Sequence, residues 1–363
     1  MTSSTEAQSA IDWRALLAPY RKPEVWRSLY QIINTAVPFI LVWLVMLWSL
    51  RVGYWLTLLL AVPAALLVVR MFMFQHDCGH AALFKSRRAN DAVGFTIGIL
   101  TLVPYAYWRK THAIHHATSG NLEQRGFGDI TTLTVREYLG LTKVKRTLYR
   151  LYRHPAVMLL FGPTYQFVLK HRLPLDTPFS WRREWHSVHW TNVGLAAVIG
   201  IMWLTLGLDR FLLVQLPITL IAGSIGVFLF YVQHQFEDTY WRYREAWEYH
   251  AAGLEGASHF VLPRVLQWFT ANIGLHHIHH VAPRIPNYKL QRCFDENPEL
   301  QQATRLTLGD SMKTLCLSLW DEDDRCLVRF RDLRRIVRRL TNSLKQGEQF
   351  VATKPEAIPQ SWR

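Results

Sequence analysis

The chain has 363 residues, 50% hydrophobic and 13% aromatic, with a formal net charge of +14 at pH 7. That charge would suit nucleic acid, but no nucleic-acid motif accompanies it, which leaves anionic headgroups or an acidic protein as partners. The four cysteines, Cys78, Cys293, Cys316 and Cys326, form no Cys-x-x-Cys pair, so neither a thiolate metal site nor an intrinsic iron–sulfur cluster is expected.

The N-terminus is polar as far as Trp26 and shows no cleavable signal pattern, so the first apolar run is expected to stay in a membrane. That run spans about Ile32 to Leu50 and a second spans Tyr54 to Phe74; a third covers Asn192 to Leu208 and a fourth Phe211 to Val232. Each approaches the roughly 20 apolar residues that cross a bilayer. Only Arg51-Val52-Gly53 separates the first pair and Asp209-Arg210 the second, so each pair is predicted to be a helical hairpin. Lys and Arg crowd the segments outside the hairpins, as in Lys85 to Arg88 and Lys143 to Arg146. By the positive-inside rule the termini and the intervening segments are expected in the cytoplasm.

Histidine clusters follow the apolar runs. His76 and His80 close the second run; His112, His115 and His116 come next, and His276, His277, His279 and His280 lie near the end of the pattern. With His234, at the mouth of the fourth run, these are ten of the 16 histidines. Helical spacing lets His76 and His80, and likewise His112, His115 and His116, aim at one point. Imidazole without thiolate suits iron, copper, nickel or zinc. A fifth apolar stretch, Ala92 to Trp108, would put the first two clusters on opposite sides if it crossed. It is therefore expected to be re-entrant or interfacial, broken around Gly94, Gly98 and Pro104. Ala156 to Val168 is apolar enough to lie in the interface, and Val265 to Phe269 is too short to span. Leu315 to Leu344 alternates apolar and basic residues at near-helical spacing and is expected to form a solvated or membrane-surface helix. The tail from Gln346 is polar.

The motifs carry a resemblance. His76-Asp77-Cys78-Gly79-His80, the run from Trp108 through His112-Ala113-Ile114-His115-His116 to Ile130, and Asn272 to His280 resemble the three histidine boxes of membrane-bound fatty acid desaturases. More narrowly, these boxes resemble those of the bacterial and cyanobacterial Δ12 (ω-6) acyl-lipid type, a subgroup that Gln233 to Trp241 and Pro286-Asn287-Tyr288 also resemble; the similarity covers Phe74 to Cys293. It implies an all-α integral membrane protein of one domain, with four membrane helices under a cytosolic cap holding two non-haem irons. The segments would be 1–31 cytosolic, 32–74 first hairpin, 75–190 cap, 191–233 second hairpin, 234–345 cap and 346–363 tail. The implied ligands are His76, His80, His112, His115, His116, His234, His276, His279 and His280; the box register sets His277 outside them, as a surface or outer contact. In the family a water-linked Asn four residues before the lone histidine can complete one coordination sphere; here Phe230 stands there, which leaves the last ligand open.

The implied activity is O₂-dependent insertion of a cis double bond, at Δ12 of an oleoyl group, in a bacterial inner membrane. Asp77, Asp129, Glu237 and Asp238 could orient imidazoles or pair with local cations, and the first two are the better placed. With no cytochrome b5 haem motif in the chain, electrons are expected from a separate protein, a ferredoxin ahead of cytochrome b5. A histidine-ligated alkane hydroxylase or carotenoid oxygenase would share the boxes and differ in product. A non-enzymatic metal or haem membrane protein would place its histidines within the membrane helices.

Overall fold

A computed structural model describes residues 11–126, 128–175, 177–345 and 359. The first two apolar runs form α1 (Val25–Ser49) and α2 (Tyr54–Gly79), so α2 extends past the apolar stretch and takes His76 into its last turn. Pro38 and Pro63 sit inside these helices without ending them, as neighbouring helices allow in membrane spans. Arg70 lies in α2 and is buried; its Nε donates to Thr35 Oγ1 of α1 at 3.1 Å, and its guanidinium stacks 4.0 Å from the Trp268 ring.

The stretch expected to be re-entrant is two helices, α3 (Arg87–Leu100) and α4 (Tyr105–Thr118). Fourteen residues rise only about 21 Å, short of the roughly 30 Å hydrocarbon core. The break falls at Thr101 to Pro104, where Leu102 takes a positive φ of 61°. Gly94 is required here, because a Cβ would collide with the Tyr105 ring. That ring is held by its hydroxyl, which donates to Cys78 O at 2.8 Å and so ties α4 to the end of α2.

After α4 comes a loop, then α5 (Lys143–Tyr152) and two π-helical segments, Val157–Phe161 and Thr164–Lys170. The second hairpin is α6 (Arg182–Leu206) and α7 (Leu208–His234). Gly207 alone joins them at φ 89°, so Asp209 and Arg210, expected in the turn, instead belong to the first turn of α7. The π-helical segments cross α7 at Gly223, whose missing side chain admits Pro163 and Phe167, and Ser224 Oγ donates to Leu159 O at 2.7 Å. Among the described residues, α1, α2, α6 and α7 are the helices long and apolar enough to cross a membrane. They pack α1 on α2, α2 on α7 and α6 on α7. Their outer faces expose Leu44, Trp48, Leu59, Trp203 and Leu204, an apolar surface of the kind that contacts lipid.

Above the helix ends lies a cap that includes α8 (Tyr249–Glu255), α9 (His276–Val281) and α10 (Leu333–Lys345). It contains a small sheet, β1 (Leu133–Thr134), β2 (Leu317–Asp321) and β3 (Cys326–Arg329), ordered β1-β2-β3 with β1 parallel and β3 antiparallel to β2. Leu315 to Leu344 is thus not one amphipathic helix; its first half is a hairpin. The reason is tertiary: β2 is buried along its whole length between two neighbours, and the acidic turn closes with Asp321 Oδ1 accepting from Asp323 N and Arg325 at φ 52°. The fold remains mostly helical. The tail from Gln346 lies outside the described residues, apart from Pro359.

Candidate metal centre

The histidines sit where apolar helices stop. His76 occupies the last turn of α2 and His80 is its C-cap; His112, His115 and His116 ride on α4, His234 ends α7, and His276, His279 and His280 lie on α9. Their side chains form two groups, His76, His80, His112, His116 and His279 in one and His115, His234, His276 and His280 in the other. Within each group the donor atoms lie within 4.8 Å of one another. The α4 histidines therefore do not aim at a single point: His115 faces the four-membered group while its helix neighbours face the five. The α9 histidines divide the same way, with His279 in the larger group. One helix face is wide enough to serve two centres.

The ring nitrogens converge closely. His234 Nε2 lies 3.1 Å from His115 Nε2 and 3.0 Å from His276 Nε2, and His276 Nε2 lies 3.1 Å from His280 Nε2. In the other group His116 Nε2 is 3.1 Å from His112 Nε2 and 3.0 Å from His279 Nε2. A chain of facing nitrogens cannot be satisfied by one proton per ring, whereas adjacent ligands about 2.1 Å from a shared ion stand about 3 Å apart. His80 Nε2 is buried without a partner among the described residues, as an unmetallated donor would be. Burial, reinforced by charge on neighbouring rings, holds His112, His116, His276, His279 and His280 well below the usual histidine range. For His80 the cause is the same. These rings are neutral at pH 7, the form that binds metal. The residues present fit two metal ions held by nitrogen.

The outer faces of the rings fix their direction. His115 Nδ1 is hydrogen-bonded to Asp129 Oδ1, and His234 Nδ1 donates to Gly256 O at 3.0 Å; such contacts choose the tautomer and turn Nε2 inward. Asp77 does something else. Its Oδ2 accepts from both the backbone N and Nδ2 of Asn287, each at 2.9 Å, while Oδ1 stays 3.6 Å from His76 Nδ1. It therefore clamps the segment after α9 to the end of α2. Glu237 and Asp238 are exposed. His277 points away from both groups, packing on His259 and Phe294, and is fully buried, so it is not a surface residue. Phe230, where the Asn position falls, wedges beside His115 and His234 with ring centroids 5.1 and 5.5 Å away.

Sequence reasoning missed two residues. Trp108 stacks on His112 at 4.5 Å and 19°, with Gly79 leaving room for its ring. Asn287 receives no role from its sequence context beyond motif similarity, because its partner Asp77 is 210 positions away.

Fold and site define a class first: a helical membrane protein whose cap and helix ends gather two all-histidine groups fit for adjacent metal ions. The chain belongs to the fatty acid desaturase family, whose model matches residues 52–310. It is 44% identical over 336 residues to a fatty acid desaturase of Bacillus subtilis (strain 168), covering 93% of this chain and 95% of that one. It is 24% identical over 268 residues to an sn-1 acyl-lipid omega-3 desaturase (ferredoxin) of Nostoc sp. (strain 36), covering 70% of each. A Synechocystis relative described by the same words is 27% identical over 236 residues and 62% of each chain.

Proposed function

We propose that this desaturase inserts a cis double bond into an acyl chain carried on a membrane lipid, with two irons held by the nine histidines of the two groups. The observation that carries this reading is the convergence of those nine rings, without a carboxylate among the grouped donors, in a chain of this family. Bound there, the irons would supply activated O₂, the oxidant strong enough for an unactivated methylene. The reaction balances when –CH₂–CH₂–, O₂, two electrons and two protons give –CH=CH– and two waters.

The chain's own residues do the rest. Asp129 and Gly256 O orient His115 and His234, Asp77 pins Asn287 so that α9 stays against α2, and Trp108 backs His112. Phe230 packs its ring beside His115 and His234 and gives the four-histidine group an apolar neighbour. The electron donor is a ferredoxin, supported by the words attached to the cyanobacterial relatives and by the net charge of +14, which attracts an acidic protein. The cap faces the cytoplasm, in keeping with the basic segments around it. For position, the resemblance of Gln233 to Trp241 supports Δ12 of an oleoyl group, while the relatives' descriptions speak of omega-3.

Expression in a host that makes only monounsaturated fatty acids, with mapping of any new bond by mass spectrometry, decides between these. A cis Δ12 bond on lipid-borne oleoyl chains is expected, with two irons per purified chain. A bond elsewhere defeats the positional assignment alone; a hydroxylated product defeats the reaction.

A further inference from the structure

Asp129 uses one carboxylate oxygen on His115, and its other, Oδ2, is buried with no hydrogen-bond partner among the described residues. So is the indole Nε1 of Trp241. The two groups belong to different parts of the chain, one to the loop after α4 and the other to the loop after α7. Both line one cavity of about 10 Å³, together with Ser119, Phe230, His234 and Gln235. The Asp129 side chain is 9% exposed and Trp241 is 6% exposed, so bulk water satisfies neither. A buried carboxylate oxygen and a buried N–H are each costly to leave unpaired, because neither recovers the hydrogen bond it gave up in water. A cavity of this size admits about one water, and such a water needs two to four polar neighbours.

We propose that Trp241 is a positioning residue for the four-histidine group: its N–H and Asp129 Oδ2 share one bound water, and the carboxylate so held keeps His115 turned toward the ion. The site takes water and nothing larger, because its volume is about 10 Å³. The order of contacts is Trp241 N–H to water oxygen, water O–H to Asp129 Oδ2, and Asp129 Oδ1 to His115 Nδ1–H. Asp129 lies on the side of His115 away from the donor nitrogen, so this water acts through the imidazole and does not touch the ion. The indole is held in a buried apolar cluster with Leu122, Leu317, Trp320 and Leu327. This inference rests on the ligand reading of His115.

The test uses the full chain in detergent, with cobalt(II) as the probe metal and release to a chelator as the readout. Wild type is expected to bind two cobalt ions per chain and release them in two phases; fewer than two would defeat the ligand reading itself, before any variant is made. Trp241→Phe keeps the ring and removes the N–H, and should speed one phase about tenfold while leaving the other unchanged. Asp129→Asn should speed the same phase, and the double variant should be no faster than Asp129→Asn, since both break one chain of contacts. Ile130→Met, whose unbranched side chain reaches further than that of isoleucine and so competes with the water for the cavity, should also speed that phase and stands in if Trp241→Phe does not accumulate. A tryptophan that only packs would give a different pattern. Unchanged release in Trp241→Phe or Ile130→Met, equal acceleration of both phases, or additive effects in the double variant would overturn the proposal.

Discussion

At the residue scale, His234 and His277 separate two kinds of buried imidazole. His234 presents Nε2 to His115 and His276 with its Nδ1 tied to Gly256 O, whereas His277 has His259 and Phe294 for neighbours. His234→Ala is therefore expected to remove activity and about half of the bound iron, because a methyl group cannot fill a coordination position. His277→Ala should keep both irons and instead lower stability by about 1–3 kcal/mol, since it empties a packed site. Iron analysis alongside thermal melting distinguishes them; an iron-depleted His277→Ala protein would mean the register of the third box is wrong. The adjacent pair His276-His277 illustrates what sequence could and could not supply. The spacing shared with His279 and His280 favoured His276, but that His276 and His280 would face one centre and His279 the other follows only from how α9 meets α4.

At the element scale, the loop between α4 and β1 carries Asp129 and is held from beneath by a buried ion pair. Arg125 meets Glu137 at 2.5 and 3.0 Å with both side chains almost inaccessible, and Arg125 also donates to Leu122 O and Thr132 O. Glu137 in turn accepts from Thr134 N at 2.7 Å in a capping box that starts the helix Val135–Gly140. Removing one member of such a pair strands the other charge, so Glu137→Ala should cost about 3–5 kcal/mol. The double change Arg125→Met with Glu137→Leu should cost less than Glu137→Ala alone. Denaturant unfolding in detergent measures both, and a harmless Glu137→Ala would show that the pair does not hold the loop. Neither residue stands out in the sequence, where Arg125 and Glu137 look like ordinary surface charges. The hairpin β2–β3 was hidden for a related reason: its two strands are short and run into the basic helical pattern after Arg329, and only β1, far away in the chain, supplies the partner strand.

At the scale of the whole molecule, neutral histidines buried away from the centre make the fold sensitive to acid. Burial pushes His171 down to about 3 and His259 down to about 4. A histidine depressed in this way is neutral in the fold, while the unfolded chain takes up a proton below about 6.5. The unfolded state thus binds more protons between about pH 6.5 and 4, and stability falls as pH drops through that window. The melting temperature of the metal-free protein should hold from pH 8 to 7 and decline toward pH 4, with a shallower decline in His171→Gln; a pH-independent melting point would refute this. The sequence by itself determined the four long helices and their pairing into hairpins, because those features are written in local periodicity and composition, while the set of nine converging histidines came from the resemblance to the desaturase boxes. The break of Ala92 to Trp108 was legible too, since a spanning segment would have parted the clusters. Only the tertiary structure decided the division into five and four, the pairing of Asp77 with Asn287, and the placing of Asp129 and Trp241 on one cavity. Each of these joins residues far apart in the chain, and a contact set by the crossing of helices leaves no trace in the spacing of either partner.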